Sequence, residues 1–436
     1  MQSKTRPLAA YILPAMGGLF VTYLYNAADG IFVGQGVGAA ALGAVNIGVP
    51  FITFVVAAAA LFPMGGAAVC AVRMGRADTD GANRAFMTAV MLTFAVSLLL
   101  TAAGMFFAQP IADLSGAKKL STHMRAMAGE YLFYYSAFSV PMLMSTCLSV
   151  FVRNDGAPTL AFLGMCTGAV MNIFLDWLFI FPLKMGVIGA AVASGLGQIS
   201  SVLILLSHFI RKKGKLQIRI FKPELSLIHK ICIRGVPEAV TQLTTPVTAL
   251  CYNLMLSRLS GDIGVAAFSV LSFIYSLANA ILSGTAQGLQ PLWGYCYGRQ
   301  DTKEIHWYFR CGIGINGVLS LLMYAAVYMY AVPVIGIFNR DAELVRTASA
   351  ALPLFGLQFI PMALNLIYTA FLFSTKRTKA AAHIAVSRGV VVKALAICCF
   401  PLFSGSNAIW LAPFAAELIT LAYAVRLKRS AGLRYM

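Results

Sequence analysis

Twelve stretches of this chain run for roughly 20 residues or more with almost no charge, and no water-soluble fold of this length can hide them all. They lie near 8–33, 42–70, 85–109, 128–152, 157–182, 187–210, 231–257, 264–293, 305–332, 347–374, 381–402 and 407–427. Hydrophobic residues make up 59% of the chain and charged residues 11%, where a soluble protein carries about a quarter charged. A bilayer resolves the conflict, because lipid-facing side chains need no burial. The expected fold is all-α and integral to the membrane, with twelve spanning helices.

Basic residues outnumber acidic ones 33 to 15, which in a soluble chain would suggest a nucleic-acid partner. Their placement points instead to a membrane topology. With the amino terminus inside, 25 Lys and Arg fall on the cytoplasmic side, Arg388 among them, and 7 fall outside. The remaining one, Lys393, lies within a span. That bias predicts a multi-pass protein of the cell (plasma or inner) membrane with both termini cytoplasmic, bound to lipid and not to nucleic acid. The apolar run Leu8–Tyr25 is too long for the h-region of a signal peptide, lacks a small-residue cleavage site and leads straight into Asn26 and Asp29, so it is read as an uncleaved first helix.

The nine cysteines form no Cys-x-x-Cys pair, and Cys398 and Cys399 are adjacent, a poor geometry for a bridge. The five histidines sit in loops or near helix ends without metal-ligand spacing. A haem, zinc or di-iron enzyme is thereby disfavoured, and no cofactor is expected.

An internal repeat divides the chain. Gly75-Arg76-Ala77-Asp78-Thr79 follows the second span and Gly298-Arg299-Gln300-Asp301-Thr302 follows the eighth, 223 residues later. Gly65 and Gly288 align at the same offset. The expected organisation is a six-helix bundle over 1–210, a cytoplasmic amphipathic linker over 211–230 and a second bundle over 231–436. Repeats with an even number of spans are related by a pseudo-two-fold axis along the membrane normal, a plan common among secondary transporters. In the repeated motif, Arg anchors the cytoplasmic helix end and Asp or Thr caps the next helix.

Ionisable groups at membrane depth mark candidate sites. Asp29 and Asp176 lie late in spans 1 and 5, which run in the same direction, and so reach similar depth. Asn26 stands three residues before Asp29, Asn172 four before Asp176, and Ser194 lies on the neighbouring sixth span. Such a group can share a proton, can supply oxygen ligands to a small cation, or can serve packing alone. Lys393 and Glu417, near the middle of spans 11 and 12, read either as a structural ion pair or as a substrate or gating contact, and Gln242 in span 7 is a further candidate substrate or gating contact. Glu130 and Glu238 lie near helix ends, where water reaches. Prolines 14, 50, 141, 246 and 361 offer kinks, and Pro14 shares its helix with Asp29.

At these residues the chain resembles the MATE (multidrug and toxic compound extrusion) family. The resemblance rests on Asn26-Ala-Ala-Asp29-Gly-Ile-Phe-Val-Gly34, on Asn172-Ile-Phe-Leu-Asp176-Trp-Leu-Phe-Ile followed by Gly186-Val-Ile-Gly-Ala-Ala-Val-Ala-Ser194, and on Gly-Val-Pro237 with the motif after span 8. It covers essentially the whole chain. It implies a V-shaped twelve-helix exporter of cationic or amphipathic small molecules in exchange for H+ or Na+; a monomer is expected. Carried over, Asp29, Asn172, Asp176 and Ser194 match the family's N-lobe cation site, where Na+ would bind if Na+ is the coupling ion. Pro14 matches the proline that bends helix 1, and Tyr131 matches a tyrosine bonded to the helix-5 carboxylate. Span 10 has no acid and Glu238 lies too early in span 7, so the chain is closer to the branch that uses the N-lobe pair.

A flippase for a lipid-linked or amphipathic metabolite is the alternative function. Extra spans or a strongly cationic cavity would favour it, and Lys393 is the one base clearly inside the membrane. A membrane enzyme would need clustered acids such as Asp-Asp-x-x-Asp or a His/Asp pair. A channel would need a selectivity filter. Neither pattern occurs in the sequence.

Overall fold

The computed structural model describes residues 5–219, 221, 224–338, 341–404 and 406–430. Ile220, Lys222 and Pro223 of the linker, and the terminal bases Lys4 and Arg434, lie outside the described residues. The helices are α1 Thr5–Gly36, α2 Ala39–Gly75, α3 Thr79–Phe106, α4 Ala108–Leu114, α5 Thr122–Ala137, α6 Ser139–Asn154, α7 Pro158–Ile180, α8 Gly186–Ile210, α9 Leu225–Leu259, α10 Gly261–Gly298, α11 Thr302–Met329, α12 Ala331–Phe338, α13 Ala342–Gly356, α14 Phe359–Ser374, α15 Thr378–Val386, α16 Val392–Ser404 and α17 Ala412–Ser430. No strand occurs among the described residues.

Among the described residues, nine helical segments are long and apolar enough to cross a membrane, α15 and α16 with the turn between them counting as one, and two bent pairs, α5–α6 and α13–α14, bring the number to 11. The twelfth span is α9. Its 35 residues would extend about 52 Å, but Lys230, Arg234 and Glu238 dilute its apolar character. The bends in the two pairs, 47° and 43°, have one cause. A proline ring clashes with the carbonyl four residues earlier. Pro141 therefore ends α5 at Ala137, and Pro361 breaks the chain beside Leu357.

The repeat is legible in atomic detail. Asp78 accepts a hydrogen bond from the Gly81 amide at 2.8 Å and Asp301 from the Glu304 amide at 3.0 Å, so each caps the helix that follows. Ala77 and Gln300, at matching positions, both adopt the left-handed backbone, with φ of 61° and 59°. The helices they introduce, α3 and α11, are each 28 residues long. Asp78→Ala or Asp301→Ala is expected to cost about 1 kcal/mol, visible as a lowered melting temperature in detergent, with transport retained.

The described residues form two compact units, Gly17–Gln242 and Met1–Met16 with Leu243–Met436. Within the first, the start of α9 lies on α2: a side chain at Gly65 would strike the Ile231 carbonyl oxygen. Within the second, the start of α1 lies on α10, where a Cβ at Gly288 would come 2.7 Å from the Tyr11 carbonyl oxygen. Small residues permit such close backbone approach between helices in lipid. Buried amides and aromatic rings hold the second unit. Asn316 donates to the Leu282 and Ala363 carbonyls, tying α11 to α10 and α14. Tyr252 stacks on Phe268 and donates to the Ile409 carbonyl. Large apolar side chains such as Leu99, Leu203 and Leu322 project outward, as a lipid-facing surface requires.

Candidate functional site

The acids of α1 and α7 meet in the first unit. Asp29 lies within electrostatic reach of Asp176, and Tyr131 on α5 within reach of both. Asp176 and Asn172 are buried, and Asp29 is half-buried. The site exists because α7 and α8 touch backbone to backbone. A Cβ at Gly197 would lie 2.7 Å from the Gly168 carbonyl oxygen and 3.0 Å from the Asn172 Cβ. That contact sets Asn172 against Ser194, to whose hydroxyl it donates at 3.2 Å. Substituting Gly197 with leucine is expected to force α7 off α8 and lower transport about tenfold or more, a change of at least about 1.4 kcal/mol at the site. Efflux by the purified variant measures it.

Beside the acids lies an apolar cluster. Val33 and Ile180, each one turn beyond an acid, pack with Tyr131, Val187, Ala190 and Ala191. Asp29 Oδ1, both Asp176 carboxyl oxygens and Asn172 Oδ1 are buried and accept no hydrogen bond. Buried acceptors without donors are costly. Four oxygen acceptors that lack donors, on two acids and an amide, suit a proton or a small hard cation. Among the described residues no group of three or more His, Cys, Asp or Glu could hold a metal ion.

The bond from Tyr131 to the Asp176 carboxylate of α7 is not made, since neither Asp176 oxygen accepts one; the tyrosine packs in the neighbouring apolar cluster instead. Asn26 is exposed on α1, and Pro14 lies within that helix, which runs on unbroken. A polar chain continues from the site. Gln198 donates to the Tyr25 hydroxyl at 3.5 Å and accepts from Ser145. Tyr25 stands four residues before Asp29 and Gln198 four after Ser194, so helical spacing alone could have drawn attention to both.

In the second unit the charge count needs correction. It places Arg388 among the cytoplasmic bases, but Arg388 is buried and its Nε donates to both Glu417 oxygens at 2.8 and 3.0 Å. Glu417 also accepts from Asn365 Nδ2 at 2.8 Å and from Lys393 Nζ at 3.4 Å. Lys393 and Glu417 thus share one buried cluster. Gln242 is half-buried on α9. Glu238 is also half-buried and lies within electrostatic reach of buried Arg153, so water is not its only surroundings. All nine cysteines are free.

Comparison with known proteins gives this architecture its family. The profile of the MatE family matches residues 14–178 and 237–397. A multidrug export protein, MepA of Staphylococcus aureus, is 22% identical over 416 residues, covering 94% of this chain and 91% of that protein. MepA of Staphylococcus saprophyticus is 23% identical over 424 residues with the same coverage of each chain. An outward-facing multidrug resistance MATE transporter superposes with a TM-score of 0.92 at 22% identity, over 98% of this chain and 95% of that one. With both repeats matched over most of their length, the chain belongs to the MatE family of multi-pass membrane transporters, which are not enzymes.

Proposed function

We propose that the chain is a secondary antiporter that exports cationic or amphipathic small molecules in exchange for H+ or Na+. The observation that carries this reading is the Asp29/Asp176 pair, two acids within electrostatic reach inside a membrane bundle, three of whose carboxyl oxygens are buried and accept no hydrogen bond. Support comes from the relatives named multidrug export proteins. Asp29, Asn172, Asp176 and Ser194 form the coupling site, with Tyr131 and Asn26 beside it. In the outward-open state a proton or Na+ from outside neutralises the pair. Removing that repulsion lets α1 repack about Pro14 and favours release of the exported molecule. Inward opening then frees the ion and admits new cargo. Each unit charge crossing 100 mV contributes about 2.3 kcal/mol, enough to sustain uphill export. The functional organisation is two six-helix halves, 1–210 and 231–436, joined by a cytoplasmic linker. The protein works as a monomer with both termini inside.

Binding of a fluorescent lipophilic cation to the purified protein tests the exchange. Affinity is expected to fall about tenfold as either protons or Na+ are raised, and to stop responding to that ion in Asp29→Asn. Affinity indifferent to both ions in the native chain would sink antiport at this site.

A further inference from the structure

One carboxylate faces two bases in the second unit, and it needs only one of them. Arg388 and Asn365 already satisfy both Glu417 oxygens at 2.8–3.0 Å. The Lys393 contact, at 3.4 Å, is the longest of the cluster, and its ammonium lies 5.4 Å from the centre of the Tyr275 ring. The three charged side chains are 8%, 2% and 0% exposed, so the cluster holds a net positive charge away from water. Among the described residues, α10, α14, α15, α16 and α17 carry no other acid except Asp262, about 20 Å along α10 from Tyr275, and α9, which meets this region at Thr244, carries Glu238 about 9 Å along its axis.

The backbone is built to produce this surplus. Residues 387–391, Ser387 to Val391, form a π-turn between α15 and α16. On an α-helix, side chains five apart diverge by about 140°. A turn closed by i→i+5 bonds returns them to nearly one face, and such turns are frequent at functional sites. Arg388 and Lys393 are five apart, so the turn is what brings both bases onto Glu417. Gly389 within it lies so close to Thr244 of α9 that a side chain there would collide. A purely structural pair would need neither the second base nor the altered turn, since an uncompensated buried charge is destabilising.

We propose that Lys393 is a recognition site for an anionic group, a carboxylate above all, on a transported amphiphile. The ammonium leaves its long contact with Glu417 as the π-turn relaxes toward α-helix, and pairs with the ligand's anion. Arg388 and Glu417 remain as a neutral pair. This rests on the export reading and adds acid-bearing amphiphiles to the cationic ones.

The test is fluorescence anisotropy on the full-length protein, with an amphiphilic dye bearing a free carboxylate and with its methyl ester. The native protein is expected to bind the carboxylate about tenfold more tightly than the ester. Lys393→Gln should abolish that preference without changing ester binding, and Lys393→Arg should keep part of it. Equal preference in native and Lys393→Gln protein overturns the proposal. So does an equal loss of both dyes with a lowered melting temperature, which marks a structural role. A change confined to the pH dependence of ester binding also overturns it, and marks the amine as a proton carrier. If neither dye binds the native protein, the export reading itself fails. Ester binding without any carboxylate preference sinks only the Lys393 assignment.

Discussion

Replacing Glu417 with alanine is expected to destabilise the second unit by about 3–5 kcal/mol, because it strands two buried bases without a carboxylate. Arg388 cannot shed its charge, so its guanidinium would have to find water or another acceptor. Asn365 loses its side-chain acceptor in the same change, although its second bond, to the Glu417 backbone carbonyl, remains. Thermal unfolding in detergent should show this as a large drop in melting temperature. The double change Glu417→Ala with Arg388→Met should recover part of the loss, since it removes the guanidinium charge that the carboxylate compensated. A melting temperature unchanged in Glu417→Ala would mean that the cluster contributes little to the fold.

Asp176→Asn should act in the opposite sense on the two observables. The side chain is fully buried and neither of its oxygens accepts a hydrogen bond. A neutral isostere removes a charge repulsion and a desolvation cost, so the variant is expected to melt at the same temperature or higher. Ion-driven efflux should nevertheless fall about tenfold or more. A site that served packing alone would show stability and transport moving together. Stabilisation with loss of activity is the pattern of a group retained for function at some cost to the fold.

The spans were open to reading in the sequence because lipid imposes one strong rule, a run of roughly 20 apolar residues. Even α9, where Lys230, Arg234 and Glu238 interrupt the pattern, lies where the alternation of loops requires a span. The capping of α3 and α11 was equally legible, since Asp two residues past Arg at a helix boundary has a local chemistry that needs no tertiary knowledge. Arg388 was not. It follows Lys376, Arg377 and Lys379 closely enough to look like the end of a cytoplasmic loop, and only the π-turn rotates it inward. Periodicity assumes an unbroken α-helix and cannot register that rotation. Tyr25, Gln198 and Ser145 sit on three different helices, and no spacing along the chain shows that they meet. The two acids could be picked out because charge at membrane depth is costly. Their lack of donors could not, because it depends on how tightly α7 and α8 approach at Gly168 and Gly197.

Dye efflux from proteoliposomes under separately imposed pH and Na+ gradients, for the native chain and for Asp29→Asn, tests the central claim most directly. Efflux driven by one gradient and lost in the variant is the predicted result, and it names the coupling ion. Equal gradient-driven efflux by both proteins would contradict the assignment of coupling to the Asp29/Asp176 pair.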